Sequence, residues 1–139
     1  MPSDGVENLE HGIVREWLDD GRLCVLRLTG DLDRTAVVYW AEVLLDTVKT
    51  FPDDMPVRVG HNLMKVTRRF PPYVRSRASA LYRELPADKT LYGAYIVPDA
   101  LANVLLMTIR STRATKLENL TERIFSAEAP ALAWLRSQV

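Results

Sequence analysis

The segment LYGAYIVPDALANVLL, residues 91–106, is the part of the sequence that most clearly indicates the fold. Its first half, residues 91–97, is an almost uninterrupted apolar run, which is typical of a strand with both faces buried. Asp99 then supplies a side chain suited to a helix N-cap, and Leu101 and Leu105 recur at helical spacing after it. The segment therefore predicts a buried strand followed by a helix, the repeating unit of an α/β sheet.

The same alternation extends in both directions along the chain. Strands are predicted at residues 11–18, at residues 22–28, from Val57, at residues 91–97 and near Arg123. Helices are predicted after Asp33, from Pro71–Pro72, after Asp99 and after Ser126. Alternating strands and helices imply right-handed crossovers between parallel strands, while the first two strands form an antiparallel hairpin. The sequence thus predicts an α/β fold with a mixed, largely parallel five-stranded sheet, an N-terminal β-hairpin and four helices.

Length and composition predict one domain at residues 11–139, preceded by a polar, flexible segment at residues 1–10. The 18 basic and 18 acidic residues leave no net charge, which argues against general attraction to nucleic acid or to membranes. The sequence has neither a signal-peptide pattern nor an apolar run long enough to cross a bilayer, so we expect a cytoplasmic protein. Cys24 lies in an apolar run and is predicted to be a buried, unreactive thiol.

Three strings resemble, in their order, sequences of the STAS superfamily and specifically of its SpoIIAA-like branch. They are LRLTGDLD at residues 26–33, YGAYIVPDALANVLL at residues 92–106 and ERIFSAEAPALAWL at residues 122–135. The resemblance covers nearly the whole predicted domain and implies the fold described above. It also implies a non-enzymatic regulatory or protein-interaction module that needs no cofactor.

One loop departs from the pattern of the family members that regulate sigma factors. Those proteins carry an aspartate after the third strand and a phosphorylatable serine or threonine at the start of the second helix. The corresponding segment here is GHNLMKVTRRFPP, residues 60–72, and no acidic residue occurs between Val57 and Arg83. The resemblance therefore leaves Thr67 as a candidate phosphorylation site without its usual aspartate.

The charges of this neutral chain are strongly segregated. Residues 1–20 contain six acidic residues and one basic residue, whereas residues 57–83 contain seven basic residues and no acidic one. The basic residues are Arg58, Lys65, Arg68, Arg69, Arg75, Arg77 and Arg83. Arg68 and Arg69 precede a predicted helix N-terminus, where free N–H groups and the helix dipole favour anions. One interpretation of this segment is a solvated helix face that pairs with the acidic N-terminal residues. The other is a site for an anion or an acidic partner. Binding of nucleic acid is less favoured because the chain has no net charge.

The candidate site residues come from this basic segment. They are His61, Lys65, Thr67, Arg68, Arg69 and Arg75. His61 is expected at a strand end, but no serine, cysteine or carboxylate stands near it in sequence as a catalytic partner, so we expect no enzyme. The sequence has no metal-ligand spacing either, so we expect no metal site.

Two functional classes remain open. One is a module that binds a protein partner through the loop after the third strand and through the second helix, with a homodimer as a further option. The other is a protein that binds a small or lipid-like anionic ligand, with an apolar part between helix and sheet and a head group held by Arg68 or Arg69. A filled core favours the first class, and an apolar pocket with a few polar groups favours the second.

Overall fold

The computed structural model describes residues 3–67, 72–112 and 118–138. The elements follow one another as β1 (Gly5–Asn8), β2 (Ile13–Leu18), β3 (Leu23–Gly30), α1 (Arg34–Thr50), β4 (Val57–Val66), α2 (Pro72–Glu84), β5 (Leu91–Ile96), α3 (Asp99–Thr112), β6 (Leu120–Phe125) and α4 (Glu128–Ser137). The predicted alternation of strands and helices is confirmed.

The strands form a single mixed sheet in the order β1-β2-β3-β4-β5-β6. Strands β1, β2 and β3 pair antiparallel, and strands β3 to β6 pair parallel. The sheet has six strands rather than the predicted five, because β1 forms within the N-terminal segment that the prediction left outside the domain. Every residue of β1 is exposed, so this strand lacks the apolar alternation by which a strand is recognised in a sequence.

The two faces of the sheet are covered by different helices. On one face, residues of α1, α2 and α3 pack with the sheet in the main core, where Leu26, Val59 and Val97 are buried. On the other face, Leu135 of α4 packs on Ala94 and Ile96 in a smaller core. Leu132, which is partly buried, also packs against this smaller core.

The helices begin for different local reasons. The Asp33 carboxylate accepts a hydrogen bond from the Ala36 N–H (2.8 Å), so Asp33 is the N-cap of α1, as predicted. The prediction that Ser126 caps the last helix is wrong, because Ala127 occupies the N-cap position of α4 and makes no side-chain hydrogen bond there. Instead, the Glu128 carboxylate in the first turn of α4 accepts hydrogen bonds from Arg27 on β3 (3.0 and 3.1 Å), which joins the helix start to the sheet.

Candidate functional site

The first part of the candidate site lies where the parallel strands β3 and β4 end. Gly30 pairs with Val66, and the N–H of Thr67 donates to the Gly30 carbonyl oxygen (3.0 Å). Gly30 has a positive φ of 81°, a conformation that glycine adopts without steric cost, and there the chain leaves β3. The crevice at the carboxyl ends of parallel strands is a common position for functional residues in α/β folds.

At this edge the Thr67 hydroxyl donates a hydrogen bond to the Asp31 carboxylate. Both side chains are exposed, as are those of Lys65 and Met64, whose exposed fraction of 42% is high for a large apolar residue. We refer to Asp31, Met64, Lys65 and Thr67 together as the Thr67 surface. An acidic residue therefore does accompany Thr67, but it comes from the loop after β3 and not from the segment that carries the threonine.

The start of α2 lies beside the start of α1, near the Thr67 surface. The Arg34 guanidinium lies over the Tyr73 ring at 4.4 Å from the ring centroid, a cation–π contact. Arg68, Arg69 and the side chain of Arg75 are outside the described residues. The predicted anion site at this helix N-terminus therefore stays a prediction.

The acidic N-terminal carboxylates find partners outside the basic segment. Glu7 binds Arg15 (2.6 Å), and Asp19 binds Arg136 (2.8 Å). Within the basic segment, Arg77 pairs with Glu84 of the same helix (3.2 Å). Among the described residues no ion pair joins the two segments, although Arg58 of the basic segment helps to lower the pKa of Asp19.

His61 is not at a strand end, as the sequence analysis expected, but inside β4. It pairs with Tyr95 of β5 and Leu26 of β3 in the sheet, and only 3% of its surface is exposed. The strand continues to Val66 because Leu63 and Val66 are also buried and extend its apolar side. His61 therefore belongs to the interior of the protein and does not line the Thr67 surface.

The imidazole of His61 is held by two aromatic neighbours. The Trp40 Nε1–H donates to Nδ1 of His61 (3.3 Å), and the Tyr95 ring stacks on the imidazole at 4.8 Å between centroids. Burial lowers the pKa of His61 from its ordinary value of 6.5 to about 4, so the ring is neutral at physiological pH. With Nδ1 as the acceptor, the single ring proton is on Nε2.

A tyrosine pair and a glutamate lie next to this histidine. The hydroxyls of Tyr82 on α2 and Tyr95 on β5 each donate to the Glu122 carboxylate of β6, both at 2.7 Å. Burial, together with the charge of Glu122, raises the pKa of Tyr95 well above its ordinary value. The Tyr95 phenol therefore stays protonated and continues to donate to the carboxylate.

Between this cluster and the helices the main core is not completely filled. Two adjoining lobes with volumes of about 50 and about 60 Å³ share the lining residues Trp40, His61, Ala78, Tyr82 and Tyr95. The remaining lining is almost entirely aliphatic and comes from the sheet and from helices α1, α2 and α3. A cavity between helix and sheet is the feature that the ligand-binding alternative requires, whereas the roles of Trp40, Tyr95 and Glu122 were not predicted from the sequence.

Two further properties bear on the predicted absence of a metal and of a membrane span. Within residues 3–67, 72–112 and 118–138, no group of three or more His, Cys, Asp or Glu side chains is arranged to hold a metal ion. None of the helices described above is both long enough and apolar enough to cross a membrane.

The chain is similar in structure to an anti-sigma factor antagonist from Mycobacterium paratuberculosis. The TM-score is 0.57 at 14% sequence identity, over 94% of this chain and 100% of that chain. No protein-family model matches the sequence, and no curated protein matches it. At this level of identity the similarity concerns the fold alone, and it confirms the predicted α/β fold with a mixed, largely parallel sheet.

Proposed function

We propose that the protein is a non-enzymatic regulatory module of the STAS type, which binds a partner protein through the Thr67 surface. The similarity of its fold to that of an anti-sigma factor antagonist supports this class of function. The observation that carries the proposal is the hydrogen bond between Thr67 and Asp31 at the carboxyl edge of β3 and β4. An exposed hydroxyl beside a carboxylate, next to the exposed Met64, combines a modifiable group with a surface suited to a partner.

Phosphorylation of Thr67 is the proposed means of regulation. A phosphothreonine carries about −1.5 to −2 charges at neutral pH, and its ester oxygen no longer donates a hydrogen bond. The Thr67–Asp31 hydrogen bond is then lost, and the two anions repel each other at the end of β4. A partner that recognises the unmodified surface is thereby released.

The test compares partner binding by three variants expressed in the native host. Thr67→Val loses the hydrogen bond to Asp31 but gains no charge, so we expect it to retain the same co-purifying partner as the wild type. Thr67→Glu adds the repulsion between two anions and should lose the partner at least about 10-fold, equivalent to about 1.4 kcal/mol. Thr50→Glu is the matched control, because Thr50 is an exposed threonine at the far end of α1. Equal partner binding by Thr67→Glu and by Thr50→Glu contradicts the proposed surface.

Three expectations from the sequence remain predictions. These are the cytoplasmic location, the homodimer and the anionic ligand held by Arg68 or Arg69. The proposed partner surface depends on none of them, since its residues Asp31, Met64, Lys65 and Thr67 all lie within the described chain.

A further inference from the structure

A second site is indicated by the buried histidine and the cavity beside it. His61 is 3% exposed, and its Nδ1 is occupied by the Trp40 N–H. Its Nε2–H has no hydrogen-bond acceptor among the described residues. No fully enclosed polar side-chain atom in the described chain lacks a partner, so this Nε2 is not fully enclosed, and His61 lines both lobes of the cavity. His61 thus offers a hydrogen-bond donor beside this cavity.

The lining of the cavity defines the chemistry of a suitable occupant. Its second lobe is bounded by Leu28, Leu32, Leu63 and Leu105, which offer no hydrogen bonds. Water in a protein interior needs about two to four polar partners, so this lobe favours an apolar group over water. The described lining residues include neither lysine nor arginine, and Glu122 borders the first lobe. A negatively charged ligand is therefore disfavoured.

The volume limits the size of the occupant. A water molecule requires about 10–15 Å³ by this kind of measure, and a cavity of about 150 Å³ accepts benzene. The lobes of about 50 and about 60 Å³ together are somewhat smaller than that. They suit a molecule of about five or six non-hydrogen atoms that spans the region between Ala78 and His61.

We infer that this cavity binds a small, neutral, mainly apolar molecule whose carbonyl or ether oxygen accepts a hydrogen bond from Nε2 of His61. The apolar part of the ligand lies against the leucines of the second lobe and the Trp40 ring. Ala78 of α2 is the small residue common to both lobes. The site is separate from the Thr67 surface, so its occupancy is measurable without a partner protein.

The test uses two probes of nearly equal shape, cyclopentanone and methylenecyclopentane, titrated into the ¹⁵N-labelled protein and followed by NMR. We expect both probes to shift signals of cavity residues, with cyclopentanone binding about 5-fold more tightly, since a single hydrogen bond contributes about that factor. Cyclopentanone alone should shift the His61 Nε2–H signal. Equal affinity for the two probes overturns the assignment of His61 as the polar contact.

Two further variants keep the inference testable. Ala78→Leu fills the region where the lobes meet, and we expect it to weaken cyclopentanone binding at least about 5-fold by steric exclusion. Ala80→Leu makes the same change on the same helix outside the cavity lining and should leave binding unchanged. His61→Phe should abolish the preference for cyclopentanone. If cyclopentanone shifts no cavity signal at its highest usable concentration, the cavity holds only water and the inference is wrong.

Discussion

Acidification should destabilise the protein through His61, and the effect is calculable. In the folded protein the pKa of this buried ring is about 4, compared with an ordinary value of 6.5 in an unfolded chain. Between these two values the unfolded state binds a proton that the folded state does not. The free energy of unfolding therefore falls as the pH decreases through this window, and the full contribution is present above pH 6.5.

The size of the effect follows from the same two pKa values. Between about pH 7.5 and about pH 5, His61 should lower the free energy of unfolding by about 2 kcal/mol. Its non-titrating replacement His61→Gln, whose amide oxygen offers an acceptor to Trp40, should lack this component. Glu7, Asp19 and Glu128, whose pKa values are lowered in the folded state, add a loss at low pH that is common to both proteins.

The assay is urea unfolding at a series of pH values, followed by tryptophan fluorescence and by circular dichroism. The informative quantity is the difference between wild type and His61→Gln as a function of pH, because it cancels the shared carboxylates. If wild type and His61→Gln lose equal stability from about pH 7.5 to about pH 5, the burial argument for His61 is refuted.

Two further predictions concern the backbone that positions the site. Asp33→Ala should lower the free energy of unfolding by about 1 kcal/mol, because the Ala36 N–H loses its acceptor. An unchanged midpoint of urea unfolding would contradict the assignment of Asp33 as the N-cap of α1. Gly12→Ala should destabilise by about 1–3 kcal/mol, because Gly12 has a φ of +72° and an added Cβ would lie 2.7 Å from the Thr29 carbonyl oxygen. Gly5→Ala, with no atom within 4 Å of the added Cβ, is the control, and equal thermal shifts for the two variants would contradict this reasoning.

Periodicity was sufficient to predict the main elements of the fold. The apolar run at residues 91–97 and the helical spacing after it correspond to β5 and α3, and Asp33 caps α1 as its position suggested. By contrast, β1 was missed because its pairing depends on main-chain hydrogen bonds with the open edge of β2. A four-residue strand with no buried side chain leaves no apolar pattern in the sequence.

The site was harder to predict because its residues are distant in sequence. Asp31 and Thr67 are 36 positions apart, and only the parallel pairing of β3 with β4 brings them together. The sequence did contain a signal for the burial of His61. Val57, Val59, His61 and Leu63 occupy every second position of β4, so the histidine lies on the same face as three apolar residues. The cavity depends on how three helices pack, which no local pattern encodes.

The most direct test of the account is site-specific photocrosslinking in the native host. p-Benzoylphenylalanine replaces Lys65 on the Thr67 surface or, as the control, the exposed Ala133 on α4 at the opposite face of the sheet. We expect one discrete protein adduct from position 65, lost when Thr67→Glu is added, and no such adduct from position 133. An adduct that forms from position 133 and not from position 65 would contradict the assignment of the Thr67 surface as the functional face.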